Sequence, residues 1–540
     1  MTSAWKRLIN NEISIDEALQ LLVNNEGEIQ WSKFDLEVSQ RFQSSLKKNL
    51  NDLSSIVPLL LWQQCYYIGC SIDIAPQSIQ RYKDITGCDI KHIYISEESS
   101  KRWSAVKEYD INAININKFN DLFTEEEKSD DISLTSQKYF RKFPDPKDRL
   151  AFLISFALHH NASDVHLEAE RNHLNIRFRI DGLLRNLSRL PIKDGKSLIN
   201  ALKVMCSMDI TDRRRPHDGS TQTSYSFEND PVPVDLRVST YPCVCGEKAV
   251  IRLLPQRNRF ETLADLGFTE RALSIYRKWI NEPHGIIIIT GPTGSGKTST
   301  LYASLKEVSS EEKNTVTIED PVEYTMPGIT QGGVNPLAGM TFETGLKSIL
   351  RQDPDIIMVG EIRDNDTADT AIRAALTGHL VFTTVHTNDV VSVIPRLKGL
   401  GLDPDLISDS LLGIVAQRLV RKNCKRCEEH YDPQDKDLEF LNLKIEDCNP
   451  AGWRKGSGCE ECFNSGFSGR EAVVEILDID ETVKQYIRKD EISNIYSYLQ
   501  EIECNSFRYS ACEKVINGVT TIGEIRRVLS SHAMRSFESK

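Results

Sequence analysis

Nine consecutive residues, Gly291-Pro292-Thr293-Gly294-Ser295-Gly296-Lys297-Thr298-Ser299, are of the types that bind a phosphate chain. Gly291, Gly296, Lys297 and Thr298 have phosphate-loop spacing. Glycines let main-chain N–H groups curl around phosphate oxygens where a Cβ would clash. Lys297 would neutralise the β- and γ-phosphates, and the Thr298 hydroxyl would hold Mg²⁺. Farther on come Glu323, in the run EDPVE, then Glu361, His379 and His386. A phosphate loop with Mg²⁺ and carboxylates indicates ATP hydrolysis, in which water must be oriented and deprotonated. Glu323 is the expected base. Glu361 stands where such ATPases carry their second motif. The usual preceding aspartate is Gly360 here, so Mg²⁺ is expected on Thr298 and waters, with Glu361 near that shell. His386 reads either as a γ-phosphate sensor or as a satisfied core histidine, and His379 is the remaining histidine candidate. Two further motifs, CKRC and CEEC, offer four thiolates from Cys424, Cys427, Cys459 and Cys462. That spacing suits a tetrahedral Zn²⁺ site; a redox pair or unligated thiols are the alternatives. The stretch between the pairs is longer than in a short zinc ribbon, so an inserted subdomain is expected.

These groups need a scaffold. Residues 286–289 are four isoleucines, as in a strand buried on both faces of a parallel sheet. A helix-compatible run with Leu301, Ala303 and Leu305 follows the loop. Short strands over 316–318, 356–359 and 380–384 are expected to end at the acidic run, at Glu361 and at His386. Parallel sheets gather chemistry at the carboxyl ends of their strands. Upstream, 150–158 reads as an apolar helix. Residues 174–180 alternate apolar and polar, Asp181-Gly182 signals a hairpin, and strands are expected over 234–238 and 249–254. Residues 15–22 and 34–50 have helical spacing, 90–95 looks extended, and the acidic run 125–131 reads as a solvated linker.

The chain has 540 residues, too many for one core, so three or four domains are expected. Hydrophobic content of 40% and charged content of 27% are ordinary for a globular protein. A net charge of −12 argues against a broad nucleic-acid surface. No apolar run approaches the ~18 residues of a membrane span. The first residues lack a signal-peptide core, so a cytosolic location is expected. Thirteen cysteines then read as buried thiols or metal ligands rather than a disulfide framework.

GPTGSGKTST, TIEDPVEY (317–324), ILRQDPDIIMVGEIRD (349–364) and ALTGHLVFTTVHTND (375–389) resemble the secretion ATPase superfamily, in particular the assembly ATPases of type II secretion and type IV pili. The resemblance extends through ASDVHLE (162–168), RFRIDG (177–182), VDLRVSTYP (234–242), QRLVRKNC (417–424) and SGR (468–470), and covers roughly residues 146–530. It implies a hexameric motor in which a PAS-like domain precedes a RecA-like ATPase core, with the active site between them. It also implies that Glu323 is the base, Glu361 belongs to the Walker B motif, His379 and His386 form a histidine box, and Arg237 reaches bound nucleotide. The four cysteines match the zinc site of assembly and secretion ATPases, which retraction ATPases generally lack. The family often has arginine where Ser220 stands, so Arg213, Arg214 or Arg215 are candidate replacements, and Lys248 stands where the family usually has GER.

The expected architecture is therefore α/β. Residues 1–131 form an adaptor domain, 146–255 a PAS-like α+β domain and 263–400 a RecA-like ATPase domain. A tetracysteine zinc subdomain at 417–475 and a helical, polar region at 476–540 complete it. The expected function is a homohexameric ATPase on the cytoplasmic face of the inner membrane that powers type IV pilus assembly. An inner-membrane platform protein and a recruiter bound through the first domain are its expected partners, and nucleic acid is not. A type II secretion motor is the rival of the same class, a nucleotide-binding scaffold with little turnover the rival of another class, and a DNA-translocating relative is disfavoured by the acidic balance and the cysteine pairs.

Overall fold

A computed structural model describes residues 3–9, 12–30, 57–62, 65–71, 79, 83, 89–101, 140, 142–206, 208–227, 230–256, 262–443, 452–502 and 504–534. The helix expected over 34–50 and the linker over 125–131 lie outside the described residues. The chain divides into two compact units, Met1–Ala113 and Ile114–Lys540.

In the first unit the helix Ile15–Leu22 starts where a capping box allows it: the Ser14 N–H donates to Glu17 Oε2 at 2.7 Å, and the Glu17 N–H donates back to Ser14 Oγ at 3.3 Å. Its buried Ala18 and Leu22 share a core with Leu59 and Leu60 of β1 (Val57–Trp62). β1 runs antiparallel to β2 (Cys65–Cys70), and β2 parallel to β3 (Asp89–Tyr94), the segment expected to be extended.

The second unit contains the helix Pro146–His159 and a six-stranded antiparallel sheet in the order β6-β5-β4-β9-β8-β7. Its strands are β4 (Asp164–Ala169), β5 (His173–Ile180), β6 (Leu183–Pro191), β7 (His217–Phe227), β8 (Asp230–Cys243) and β9 (Gly246–Pro255). Alternate positions, among them Leu174, Ile176 and Phe178 of β5 and Val234, Leu236 and Val238 of β8, are buried, as a period of two requires. The intervening positions put one row of residues in register across five strands: Arg179, Asp164, Arg252, Arg237 and Ser220. β7 and the helix Ile192–Met205 were not among the expected elements. β7 is an edge strand whose sequence, HDGSTQTSYSF, carries almost no apolar alternation to announce it.

The core of the unit is a seven-stranded sheet in the order β12-β11-β13-β14-β10-β15-β18. Its strands are β10 (Gly285–Thr290), β11 (Thr315–Glu319), β12 (Thr330–Gly333), β13 (Ile356–Val359), β14 (Leu380–Val385), β15 (Leu411–Asn423) and β18 (Phe467–Asp478). All neighbours are parallel except β15 and β18. Ile286 and Ile288 pack into one hydrophobic layer, Ile287 and Ile289 into the other, so β10 is buried on both faces. This sheet does not stop at residue 400 as expected. β15 pairs along the free side of β10 and β18 pairs with β15, because a central strand needs hydrogen-bonding partners on both sides. Between them lie the small hairpin β16 (Glu428–His430) and β17 (Arg454–Gly456) and the helix Asp435–Leu441.

The expectation of a polar helical tail from 476 is corrected in two respects. Residues 476–478 finish β18, and the helices that follow bury Val483, Ile487, Ile495, Leu499, Phe507 and Ile525 in the same layer as Ile286 and Ile288. Amphipathic helices read as polar by composition while one face is apolar. Among the described residues no helix is long and apolar enough to cross a membrane.

Candidate active site

The phosphate loop joins β10 to the helix Lys297–Val308. Gly291 has φ 146°, and a Cβ there would lie 2.5 Å from the Gln417 carbonyl oxygen. Gly296 has φ 90°, and its Cβ would lie 2.8 Å from Gln417 Nε2. Both positions therefore demand glycine on conformation and on space. Gln417 of β15 braces this turn, and its Oε1 accepts from Thr300 Oγ1 at 2.8 Å. Lys297 Nζ folds back to donate to the Gly291 and Pro292 carbonyls at 2.9 and 3.2 Å. Burial holds its ammonium below the ordinary lysine range, while the Glu361 carboxylate works the other way. A cation so placed gains from an incoming anion.

The loop forms one wall of a cleft of about 470 Å³. Thr298, Glu323, Glu361 and His386 also line it, so four sequence candidates from four separate strand ends meet Lys297 there. Glu361 follows β13 by two residues. Its carboxylate is paired with Arg363 and lies 3.3 Å from His386 Nε2. The Arg363 hydrogen bond chiefly holds its carboxyl below the usual range. A carboxylate kept ionised in this way is a weak proton acceptor and a good partner for a hydrated cation. Thr298 and Glu361, which both line the cleft, thus suit Mg²⁺, whose preferred ligands are oxygens and waters. Glu323 lies on the loop after β11 and lines the same cleft. His386 has a side chain 54% exposed, which excludes the core-histidine alternative.

Two candidates are not brought into the cleft. His379 precedes β14 instead of following it. Its Nδ1–H donates to the Ala374 carbonyl at 2.9 Å and its carbonyl accepts from Gly285 N–H at 3.1 Å, at the amino ends of β14 and β10 and so at the opposite end of these strands from the phosphate loop. Arg237 is exposed on β8, outside the cleft of its own chain. Arg213, Arg214 and Arg215 are also exposed, and Lys248 is paired with Glu168 at 2.8 Å.

Some contributors escaped sequence reasoning. Arg363, two residues beyond Glu361, lines the cleft and also lies 3.8 Å from Asp320. Its position in the GEIRD string was the available signal. Arg418 donates to the Gln417 and Asn388 carbonyls at 2.9 and 2.8 Å, fastening the phosphate-loop brace to the segment after β14. No local pattern announces that role.

The four cysteine sulfurs lie within 4.8 Å of one another. Cys424–Cys459 and Cys427–Cys462 are each 3.8 Å apart, and Cys459–Cys462 are 3.7 Å apart. A tetrahedron with Zn–S bonds of about 2.3 Å has edges of about 3.8 Å. A disulfide needs about 2.05 Å, so the thiols are not paired as a redox bridge. The N–H groups of Gly458, Cys459 and Gly466 point at sulfur at 3.1–3.3 Å, the kind of second-shell donation that suits thiolates. The donor set fits Zn²⁺.

A family profile described as "Type II/IV secretion system protein" matches residues 147–527. The "Type IV pilus assembly ATPase PilB" of Thermus thermophilus is 43% identical over 366 residues, 68% of this chain; the match spans 41% of the Thermus protein. The "Type II secretion system ATPase E" of Vibrio cholerae is 41% identical over 376 residues, 70% of this chain and 74% of its own length. The X-ray structure of the Legionella pneumophila ATPase DotB shares the fold, with a TM-score of 0.52 at 20% identity over 70% of this chain and 94% of that one.

Proposed function

The chain belongs to the Type II/IV secretion system protein family, and on that premise we propose that it is an ATP-hydrolysing motor that powers type IV pilus assembly. The observation that carries the reading is the cleft in which Lys297, Thr298, Glu323, Glu361 and His386 converge at the ends of adjacent parallel strands. The loop N–H groups and Lys297 bind the β- and γ-phosphates. Thr298 and Glu361 would hold Mg²⁺, which when bound would neutralise charge on the phosphates. Glu323 takes the proton of the attacking water. His386, free of the core and against Glu361, faces the γ-phosphate end.

In this reading the six-stranded sheet with its helices is the PAS-like domain and the seven-stranded sheet the RecA-like core. Arg237 serves the cleft of a neighbouring subunit in a homohexamer. The four cysteines hold a structural Zn²⁺. The first domain binds a recruiter, and the ring works against a platform protein at the cytoplasmic face of the inner membrane. A type II secretion motor is the second reading, favoured by the match to the Vibrio protein across 74% of its length.

A steady-state ATPase assay tests the core of this. Lys297→Ala weakens nucleotide binding and abolishes turnover. Glu323→Gln and Glu361→Ala keep ATP binding while hydrolysis falls by a factor on the order of 10². Near-normal phosphate release by both glutamate variants would remove them from the mechanism, and a wild-type chain that binds ATP without turnover would be a scaffold. Deletion in the source organism separates pilus from secretion: loss of surface pili with intact protein export supports the first reading.

A further inference from the structure

Glu319, at the cleft wall, is the hub of a largely buried polar network that the proposed mechanism does not use. Tyr302 is one and a half turns into the helix that begins with Lys297, and its side chain is fully buried. Its hydroxyl donates to Glu319 Oε2 and accepts the Glu323 main-chain N–H at 3.2 Å. Glu319 ends β11 and is 3% exposed. Its other oxygen accepts from Thr317 Oγ1 at 2.6 Å and from Gln331 Nε2 at 3.1 Å. Gln331, on the edge strand β12, also takes hold of the catalytic loop: Nε2 donates to the Tyr324 carbonyl at 3.2 Å and Oε1 accepts from Met326 N–H at 2.7 Å. The Tyr302 and Tyr324 rings meet edge to face with centroids 4.6 Å apart.

Glu319 has both oxygens occupied by buried donors, so it is the hub of the network rather than a rival base. The segment carrying Glu323 is held at three main-chain points, all traceable to that hub. A neutral phenol can give one hydrogen bond and take one at the same oxygen. Burial, reinforced by the Glu319 carboxylate, raises the Tyr302 phenol well above its ordinary range, so it keeps its proton.

We infer that Tyr302 is a positioning residue for Glu323, fixing the expected base to the same helix that carries Lys297 and Thr298, with Gln331 as the second tie. The phosphate-binding groups and the base thereby move as one body. The inference rests on the reading that Glu323 deprotonates the water.

The test is a double-mutant cycle on the full chain, read as single-turnover phosphate release and as ATP KM. Tyr302→Phe keeps the ring and removes the hydroxyl. A displacement of about 1 Å at a base costs up to 10²-fold in rate, so kcat is expected to fall roughly 10-fold or more with ATP KM changed less than about 2-fold. In a Glu323→Gln background the same substitution is expected to cost less than about 2-fold, because its effect is routed through Glu323. A merely structural role lowers activity by the same factor in both backgrounds. That result, or wild-type kcat in Tyr302→Phe, overturns the inference. Glu323→Gln alone tests the underlying reading: undiminished turnover there removes the base assignment itself. Should Tyr302→Phe not fold, Gln331→Met, half-buried on an edge strand, is carried through the same cycle with the same two outcomes.

Discussion

Glu475 offers the sharpest quantitative test of how the sheet supports the cleft. It lies on β18, fully buried, with Oε1 accepting the Val390 N–H at 3.2 Å and Oε2 without a hydrogen-bond partner among the described residues. Asp389, Arg418, Tyr496, Cys504 and the Phe507 N–H surround it. Burial is the dominant influence, and it pushes the carboxyl up to about 8, with Asp389 adding to the rise and Arg418 opposing it. The folded chain therefore keeps a proton that the unfolded chain releases near pH 4.5. Linkage sets the sign: the contribution of this group to stability is greatest below about 4.5, falls by about 1.4 kcal/mol per pH unit as pH rises, and levels off above about 8. Between about pH 5.5 and 7.5 this amounts to about 3 kcal/mol. Glu475→Gln removes the titration. The amide brings an unpaired donor of its own, but that penalty is the same at both pH values. The stability gap between variant and wild type is thus expected to move by about 3 kcal/mol in the variant's favour on going from pH 5.5 to 7.5. Native-state hydrogen exchange of β18, corrected for intrinsic exchange rates, reads the gap directly. A gap that stays constant within about 0.5 kcal/mol would refute the reasoning, because a solvated or already ionised carboxylate has no such slope.

Two further outcomes are expected. Elemental analysis of the purified chain should find one zinc per chain, and Cys462→Ser should lower that stoichiometry and destabilise the segment between the cysteine pairs, since metal binding is coupled to folding there; absence of stoichiometric zinc under non-chelating conditions sinks the claim. Arg237→Ala should depress ATP turnover roughly 10-fold or more without unfolding the protein, as loss of one transition-state cation does, and sedimentation should show a ring; a fully active monomer, or normal turnover in the variant, removes Arg237 from the site.

The parts legible in the sequence are those whose physics is local. A phosphate loop needs glycines at positive φ beside a lysine, and Gly291, Gly296 and Lys297 announce it without reference to the rest of the fold. Strand-end chemistry was nearly as plain for Glu323, Glu361 and His386, because each follows a short apolar run. The same rule, applied to direction as well as proximity, places His379 on the wrong side: it precedes Leu380–Val385, so a parallel strand carries it away from the phosphates. The ATPase sheet was cut short at 400 for another reason. β15 holds Gln417, Arg418 and Arg421 within its apolar run, and those polar groups look like a surface until the loop they brace and the carboxylates they meet are known. Arg421 pairs with the fully buried Glu524, about a hundred residues later, which no periodicity connects.

The Tyr302–Glu319–Gln331 network belongs to the same class, since its members lie on one helix and two strands and become neighbours only when the sheet closes. Such long-range polar groups determine how firmly the cleft's local motifs are held. Gln417 lies where a Cβ at Gly291 or Gly296 would fall, and the loop bearing Glu323 is held at three main-chain points by Tyr302 and Gln331, both bonded to the buried Glu319 carboxylate. A chemical signature can therefore be read from spacing, while the rate it attains depends on contacts between distant segments, and substitution of Tyr302 or Gln331 should change kcat with little effect on nucleotide affinity.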